Sequence, residues 1–269
     1  MAFTDEQLER YSRQIILKEV GVKGQEKLLN GKVLIIGAGG LGSPAAMYLA
    51  AAGVGTIGIA DADVVDLSNL QRQILHGDTD LCRPKVLSAK ESMECINPDV
   101  KVNTYHTFVM SDNIRELIRE YDFIIDATDN FSSKFLINDA CVMEGKSFCH
   151  GGIIRFQGQL MTYVPGQGPC YRCIFQSPPP KDAAPTGKQA GVIGAVAGVI
   201  GCLQATEAVK YLLGIGDLLV GRLLTYDAMK MEFRTIKLPK KVPSCPVCGE
   251  HPTITELTGC EQAACDQKH

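Results

Sequence analysis

The run Gly37-Ala38-Gly39-Gly40-Leu41-Gly42 is a G-x-G-x-x-G turn set between an apolar strand segment and an Ala-rich helix segment. In that setting backbone N–H groups and the positive end of the helix attract phosphate or ribose oxygens. Asp61 and Asp63 follow the next apolar segment, where a carboxylate can accept ribose hydroxyls. Taken alone these features suggest NAD. Asn69, Arg72, Gln73 and Lys85 then come within 25 residues of Asp61, and Asp126 and Asp129 end a later apolar segment. A dinucleotide needs few full cations. A triphosphate, with about four negative charges, needs two or three, together with Mg²⁺ on a carboxylate, for phosphoryl or nucleotidyl transfer. The pattern favours ATP chemistry, with Asp126 open to a second reading as a residue that only closes its strand.

A second constellation is metal chemistry. Cys170-Tyr171-Arg172-Cys173 and Cys245-Pro246-Val247-Cys248 are two C-x-x-C pairs with 71 residues between them. Four thiolates in such pairs close a tetrahedral zinc shell that leaves no position for water, so the expected Zn²⁺ is structural. The separation is too long for a local ribbon, so the metal would pin the start of a proline-rich segment to the C-terminal region. A redox C-x-x-C is the rival reading, weakened by the matched pair. Cys82, Cys95, Cys141, Cys149 and Cys202 have apolar neighbours and read as inert packing.

The elements that must position these residues alternate regularly. Residues 5–29 carry apolar positions at helical spacing (Leu8, Tyr11, Ile15) and predict an arm of two short helices broken at Gly21 and Gly24. Strands are expected at 32–36, 56–60, 101–105 and 122–126, with helices at 43–52, 84–96, 112–120 and 131–144 between and after them. This order implies parallel strands joined by right-handed crossovers. Residues 147–163 read as short strands broken by glycines, so the sheet turns mixed. Residues 176–190 hold four prolines and read as a mobile surface loop. A long helix (191–213), a hairpin (222–238) and a polar, frayed tail complete the chain. The expected fold is α/β, a Rossmann-like doubly wound sheet, mostly parallel and mixed toward the C-terminus, with a structural zinc site. Residues 1–30 form the helical arm, 31–257 the nucleotide-binding domain with a crossover loop at 174–190, and 258–269 the tail.

Composition narrows the class. The 269 residues are 45% apolar and 21% charged, and 27 basic against 30 acidic side chains leave a net charge of −3. That balance lacks the broad basic field of a dedicated nucleic-acid binder. The polar, acidic N-terminus resembles neither a secretory signal nor a transit peptide. The uncharged stretch 191–203 falls short of the roughly 18 residues of a membrane span, and reads as a buried helix. Eleven cysteines, an odd number in a chain this long, favour reduced thiols and a metal site over disulfides, and with them the cytoplasm.

The arm RYSRQIIL, the turn GAGGLG, the string DADVVDLSNLQRQILH, the pair Pro84-Lys85, the run Asp126-Ala127-Thr128-Asp129-Asn130 and the two C-x-x-C pairs together resemble the ThiF/MoeB/HesA adenylyltransferases. These are prokaryotic relatives of ubiquitin-activating enzymes, and the resemblance covers about residues 7–257 in motif order and spacing. It implies a homodimer that binds Mg-ATP and the C-terminal Gly-Gly tail of a small ubiquitin-like sulfur carrier. The carboxylate becomes an acyl-adenylate and pyrophosphate leaves. By the same resemblance Asp61 takes the ribose, Asn69, Arg72 and Lys85 surround the phosphates, Asp129 holds Mg²⁺, and Arg13 enters the neighbouring protomer's phosphate site. Sulfur comes from an external donor protein. Thiamine, molybdenum-cofactor and cysteine-synthesis carriers all end in Gly-Gly and stay open.

One departure stands out. Many members carry a cysteine in the loop before the long helix, where Gly187 stands here, and there is no thiol between Cys173 and Cys202. Adenylation does not need that thiol, whereas covalent transfer through the loop does. Cys260 and Cys265 in the tail are the other thiols open to sulfur. The competing readings are an NAD-dependent Rossmann oxidoreductase, a zinc-stabilised binding module without catalysis, and an enzyme that activates a carboxylate on modified tRNA. Arg72, Lys85 and Asp129 together favour carrier activation.

Overall fold

Short apolar runs dictate the centre of the molecule. β1 (Lys32–Ile36), β2 (Thr56–Ala60) and β4 (Phe123–Asp126) are buried along almost every residue, the pattern of strands covered on both faces by helices. β3 (Lys101–Tyr105) and β5 (Ser147–Ile154) flank them, and all five pair in parallel. β6 (Gln157–Tyr163), β7 (Arg222–Asp227) and β8 (Glu232–Lys237) add antiparallel strands beyond β5. The computed structural model describes residues 3–177 and 190–257, and among them the sheet has the order β3-β2-β1-β4-β5-β6-β7-β8.

Alternation along each strand divides the core in two. Val33, Ile35, Ile57, Phe123 and Ile125 face one layer, made by α4 (Gly42–Ala51), α5 (Lys85–Ile96) and α9 (Gly194–Leu213). Leu34, Ile36 and Ile124 face the other, which holds α6 (Ile114–Arg119), α7 (Phe131–Met143) and the cysteine-bearing α8 (Tyr171–Ile174). The length and apolar composition of α9 would suffice to cross a membrane, but half of its most apolar window is buried. It packs on α4, β5 and β6, as expected of a buried helix.

Some expectations need correction. The arm is three helices, α1 (Asp5–Arg10), α2 (Ser12–Ile15) and α3 (Gly21–Asn30), so Gly21 starts a helix and Gly24 lies inside it. Gly21, at φ +58°, makes the turn into α3 that a residue with a side chain would resist. The glycines of 147–163 do not break strands. A Cβ at Gly151 would come 2.7 Å from Gln204, and one at Gly158 would come 2.4 Å from Ile200, so they admit α9 against the sheet. Cys82 and Cys95 are exposed, not packed. Cys95 lies two positions after the inward-facing Met93 and so points outward from α5, while Cys82 occupies a left-handed turn at φ +65°. Most of the expected proline-rich loop, residues 178–189 with Gly187, and the expected tail with Cys260 and Cys265 lie outside the described residues.

Candidate active site

The strand order reverses between β1 and β4, and Ile36 is in register with both Ala60 and Asp126. The three loops carrying the predicted residues therefore leave the sheet at one end, where doubly wound folds bind ligands. The glycine turn follows β1. Gly37 sits at φ +104°, and a Cβ there would come 2.8 Å from the carbonyl oxygen of Ala127, so the turn lies directly against the Asp126–Asn130 loop. Gly42 opens α4 against the Gly37 carbonyl, where an added Cβ would come within 1.9 Å. Among the described residues the amides of Gly39 and Gly40 have no hydrogen-bond partner, which leaves them available to an anion.

Asp61 and His76 hold this turn from both sides. Asp61 Oδ2 accepts from the Ala38 amide at 2.8 Å, while Oδ1 accepts from the Asp63 amide. Each carboxylate oxygen keeps a lone pair free for a ribose hydroxyl. Burial raises the Asp61 carboxyl, opposed by the nearby Lys85 charge. His76 Nε2 faces the Ala38 carbonyl at 3.0 Å and Nδ1 faces Ser88 Oγ at 2.8 Å. Nε2 must then carry the proton and Nδ1 accept from Ser88. Burial keeps this ring neutral by lowering its pKa.

The basic residues lie over the turn. A Cβ at Gly40 would meet Arg72 Cγ at 3.4 Å, and Arg72 Nη1 donates to the Ser68 carbonyl. Gln73 is buried near Gly39, and its Oε1 has no hydrogen-bond partner. Asn69 Oδ1 accepts from the Asp66 amide and shapes the short 3₁₀ turn before Arg72. Lys85, buried at the start of α5, pairs with Asp63 at 2.9 Å, so Asp63 acts here as the counter-charge of a lysine. Asp129 is exposed, with no hydrogen bond or ion pair among the described residues.

Arg13 stands apart. The arm is anchored at the far end of α4, where Gln14 donates to the Ala52 carbonyl and the Tyr11 ring covers Gly53. Ten helical residues put that anchor about 15 Å from the glycine turn of the same chain. Arg13 is exposed on this arm.

Sequence reading missed a buried cluster beneath Asp129. Asp126 ends β4 fully enclosed, with Lys134 Nζ at 3.3 Å and His150 Nδ1 at 2.9 Å. Burial alone would raise its carboxyl, but Lys134 and His150 outweigh burial and hold it down to about 2. The signal was present as a histidine inside the apolar strand run SFCHGG and a lysine in the largely buried α7.

The four predicted zinc ligands converge. Their sulfurs lie within 4.8 Å of one another, with Cys170–Cys245 at 3.6 Å, Cys170–Cys173 at 3.8 Å and Cys173–Cys248 at 3.4 Å. Zn–S bonds of about 2.3 Å in a tetrahedron separate sulfurs by roughly 3.8 Å, so the donor set fits Zn²⁺. The site is tied to α7. Tyr171 donates its amide to Asn138, Arg172 makes a bidentate pair with Asp139, and the Tyr171 ring lies against His150 and Phe135.

The ThiF family matches residues 11–247. A sulfur carrier protein adenylyltransferase of Thermus thermophilus is 46% identical over 97% of this chain and 98% of its own length. The SAMP-activating enzyme E1 of Haloferax volcanii is 49% identical over 91% of this chain and 90% of its own. The adenylyltransferase and sulfurtransferase MOCS3 of Anopheles gambiae is 46% identical over 96% of this chain, which spans only 58% of that protein. Among solved structures, MccB of E. coli with MccA-N7isoASN superposes with a TM-score of 0.80 at 24% identity, over 90% of this chain and 74% of that one, a likeness of fold.

Two outcomes follow from this geometry. The purified chain should hold one zinc, give the thiolate-to-metal and d–d absorption of a tetrahedral site when loaded with Co²⁺, and lose roughly 5–15 °C of melting temperature in Cys245→Ser, at about 2–4 °C per kcal/mol. Retention of wild-type melting and metal content would remove the metal from the site. Separately, stability should fall as pH drops below about 6.5, because unfolded histidines bind protons that buried His76 and His150 refuse. Urea midpoints from pH 7.5 to 5.5 measure the slope, which the double variant His76→Gln/His150→Asn should flatten.

Proposed function

Because this chain belongs to the ThiF family, we propose that its glycine turn, its basic segment and Asp129 together adenylate the C-terminal Gly-Gly carboxylate of a small ubiquitin-like sulfur carrier. The enzyme is an adenylyltransferase. A carboxylate is a weak nucleophile toward a polyanion, so the site must screen repulsion, align the attack and stabilise charge on departing pyrophosphate. Free amides of the glycine turn and Asp61 receive the ribose and phosphate end of ATP. Arg72, over Gly40, and Lys85 supply fixed positive charge, while Gln73 offers its unpaired buried oxygen to a donor on the nucleotide. Mg²⁺, when held by the unpaired Asp129, neutralises phosphate charge.

Arg13 completes the neighbouring protomer's site in a homodimer. The observation that supports this is the anchor of its arm at the far end of α4, beyond the reach of one arginine from its own turn. An external donor protein supplies the sulfur, in the cytoplasm. The single observation that carries the whole reading is the convergence of the glycine turn, Arg72, Lys85 and Asp129 at the β1–β4 reversal. Hydride transfer would have no use for this many fixed charges.

The enzyme should exchange labelled pyrophosphate into ATP only when a Gly-Gly-ended carrier is present. Arg72→Ala and Asp129→Ala should each lose about 10²–10³ of that exchange with the fold intact. Exchange without carrier, or binding of NAD(H) in place of ATP, would overturn the assignment. Arg13→Ala and Asp129→Ala protomers, co-refolded, should regain activity in heterodimers that pair an intact Asp129 with the other chain's intact Arg13. Verified heterodimers without recovery would remove Arg13 from the neighbouring site.

A further inference from the structure

We propose that Asp126, Lys134 and His150 form a positioning device that sets the loop presenting Asp129 to its cation. The inference rests on the reading of Asp129 as the Mg²⁺ ligand. The cluster sits under that loop and is sealed from water, with Asp126 1%, His150 0% and Lys134 7% exposed. Asp126 Oδ1 accepts from the Thr128 amide at 3.1 Å and from Thr128 Oγ1 at 2.6 Å. Its Oδ2 accepts from His150 Nδ1. Lys134 Nζ reaches both carboxylate oxygens and donates to the Gly151 carbonyl at 2.8 Å. On the other side of Asp129, Asn130 Oδ1 accepts from the Ser133 amide at 2.8 Å and starts α7. The residues before and after Asp129 are thus both clamped by side-chain hydrogen bonds, while Asp129 itself is exposed between them.

The chemistry of the cluster argues for orientation over simple stabilisation. A buried ion pair is an inefficient source of stability, because desolvating both charges costs several kcal/mol that an apolar pair would not incur. A carboxylate is, however, the small side chain that accepts from four donors at once, here the Thr128 amide and hydroxyl, His150 and Lys134. Asn at 126 would set its amino group either against Thr128 or against His150, and against Lys134 in both orientations, so one set of donors loses its acceptor. Gln159, 3.4 Å from His150 Nε2, fills the ring's other nitrogen and keeps the Nδ1 proton directed at Asp126. Partners of this kind behind a metal ligand are worth about 10–100-fold in metal affinity.

The test uses Mn²⁺ as the probe, with ATP present and carrier absent, and reads bound Mn²⁺ by water-proton relaxation. Thr128→Val, which removes one hydroxyl at a half-buried position, and Asp126→Asn should each weaken Mn²⁺ binding about tenfold or more. Both should leave metal-free ATP binding within about twofold and, once a Gly-Gly-ended carrier is added, recover most pyrophosphate exchange at saturating Mn²⁺. Asp129→Asn should lose Mn²⁺ binding without such rescue. Wild-type Mn²⁺ affinity in Thr128→Val beside a defective Asp129→Asn would overturn the positioning role alone. Asp126→Asn losing metal-free ATP binding and thermal stability together, with Thr128→Val normal, would make the cluster structural. Wild-type Mn²⁺ affinity in Asp129→Asn would overturn the reading of Asp129 and this inference with it.

Discussion

The parallel pairing that sets Ile36 of β1 opposite Ala60 on one side and Asp126 on the other is the constraint on which the remaining structure depends. A parallel sheet brings every strand's C-terminal end to one edge. The reversal of order beside β1 then opens a crevice between the loops that leave there. Shifted by one residue, β4 would turn Ile124 from one core to the other and move Asp126 out of line with the glycine turn. In this register Gly37 lies so near Ala127 that an added Cβ would come 2.8 Å from its carbonyl oxygen.

From that edge the site is built by polar groups that serve one another before any ligand arrives. Ala38 has its amide taken by Asp61 and its carbonyl by His76, so the turn cannot rotate freely. Lys85 is positioned by its ion pair with Asp63, which holds a buried ammonium near Asp61 without an unpaired charge in the interior. Arg72 and Asp129 are less engaged, with one carbonyl contact for the first and none among the described residues for the second. Residues with duties inside the protein and residues left open toward substrate are thereby distinguishable.

The four-cysteine site, whose donor set fits Zn²⁺, is the second support of the same region. Its cysteines come from segments 71 residues apart in the chain, and the helix between the first pair is held on α7 by Asn138, Asp139 and Phe135. α7 begins at Asn130, next to Asp129. A cysteine cluster far from the glycine turn in sequence is therefore one helix away from the carboxylate proposed to carry Mg²⁺.

Much of this was legible in the residues alone. The glycine turn, the strand–helix alternation, the switch to a mixed sheet and the two C-x-x-C pairs all depend on local spacing and residue type, which the chain carries within a few turns of each residue. What required the tertiary structure was pairing over distance. Asp63 looked like a ribose ligand and is the partner of Lys85, 22 residues later. Asp126 was open between two roles, and only the approach of Lys134 and His150 from α7 and β5 sets it in a buried cluster. His76 and the orphan oxygen of Gln73 acquire meaning only beside the glycine turn. Exposure also escaped the sequence: Cys95 has apolar neighbours in the chain but faces outward from its helix, and Cys82 occupies a left-handed turn at the surface. Local pattern encodes dihedral preference and which side of an element is apolar, whereas the partner of a buried charge is chosen by the packing of elements that the chain separates.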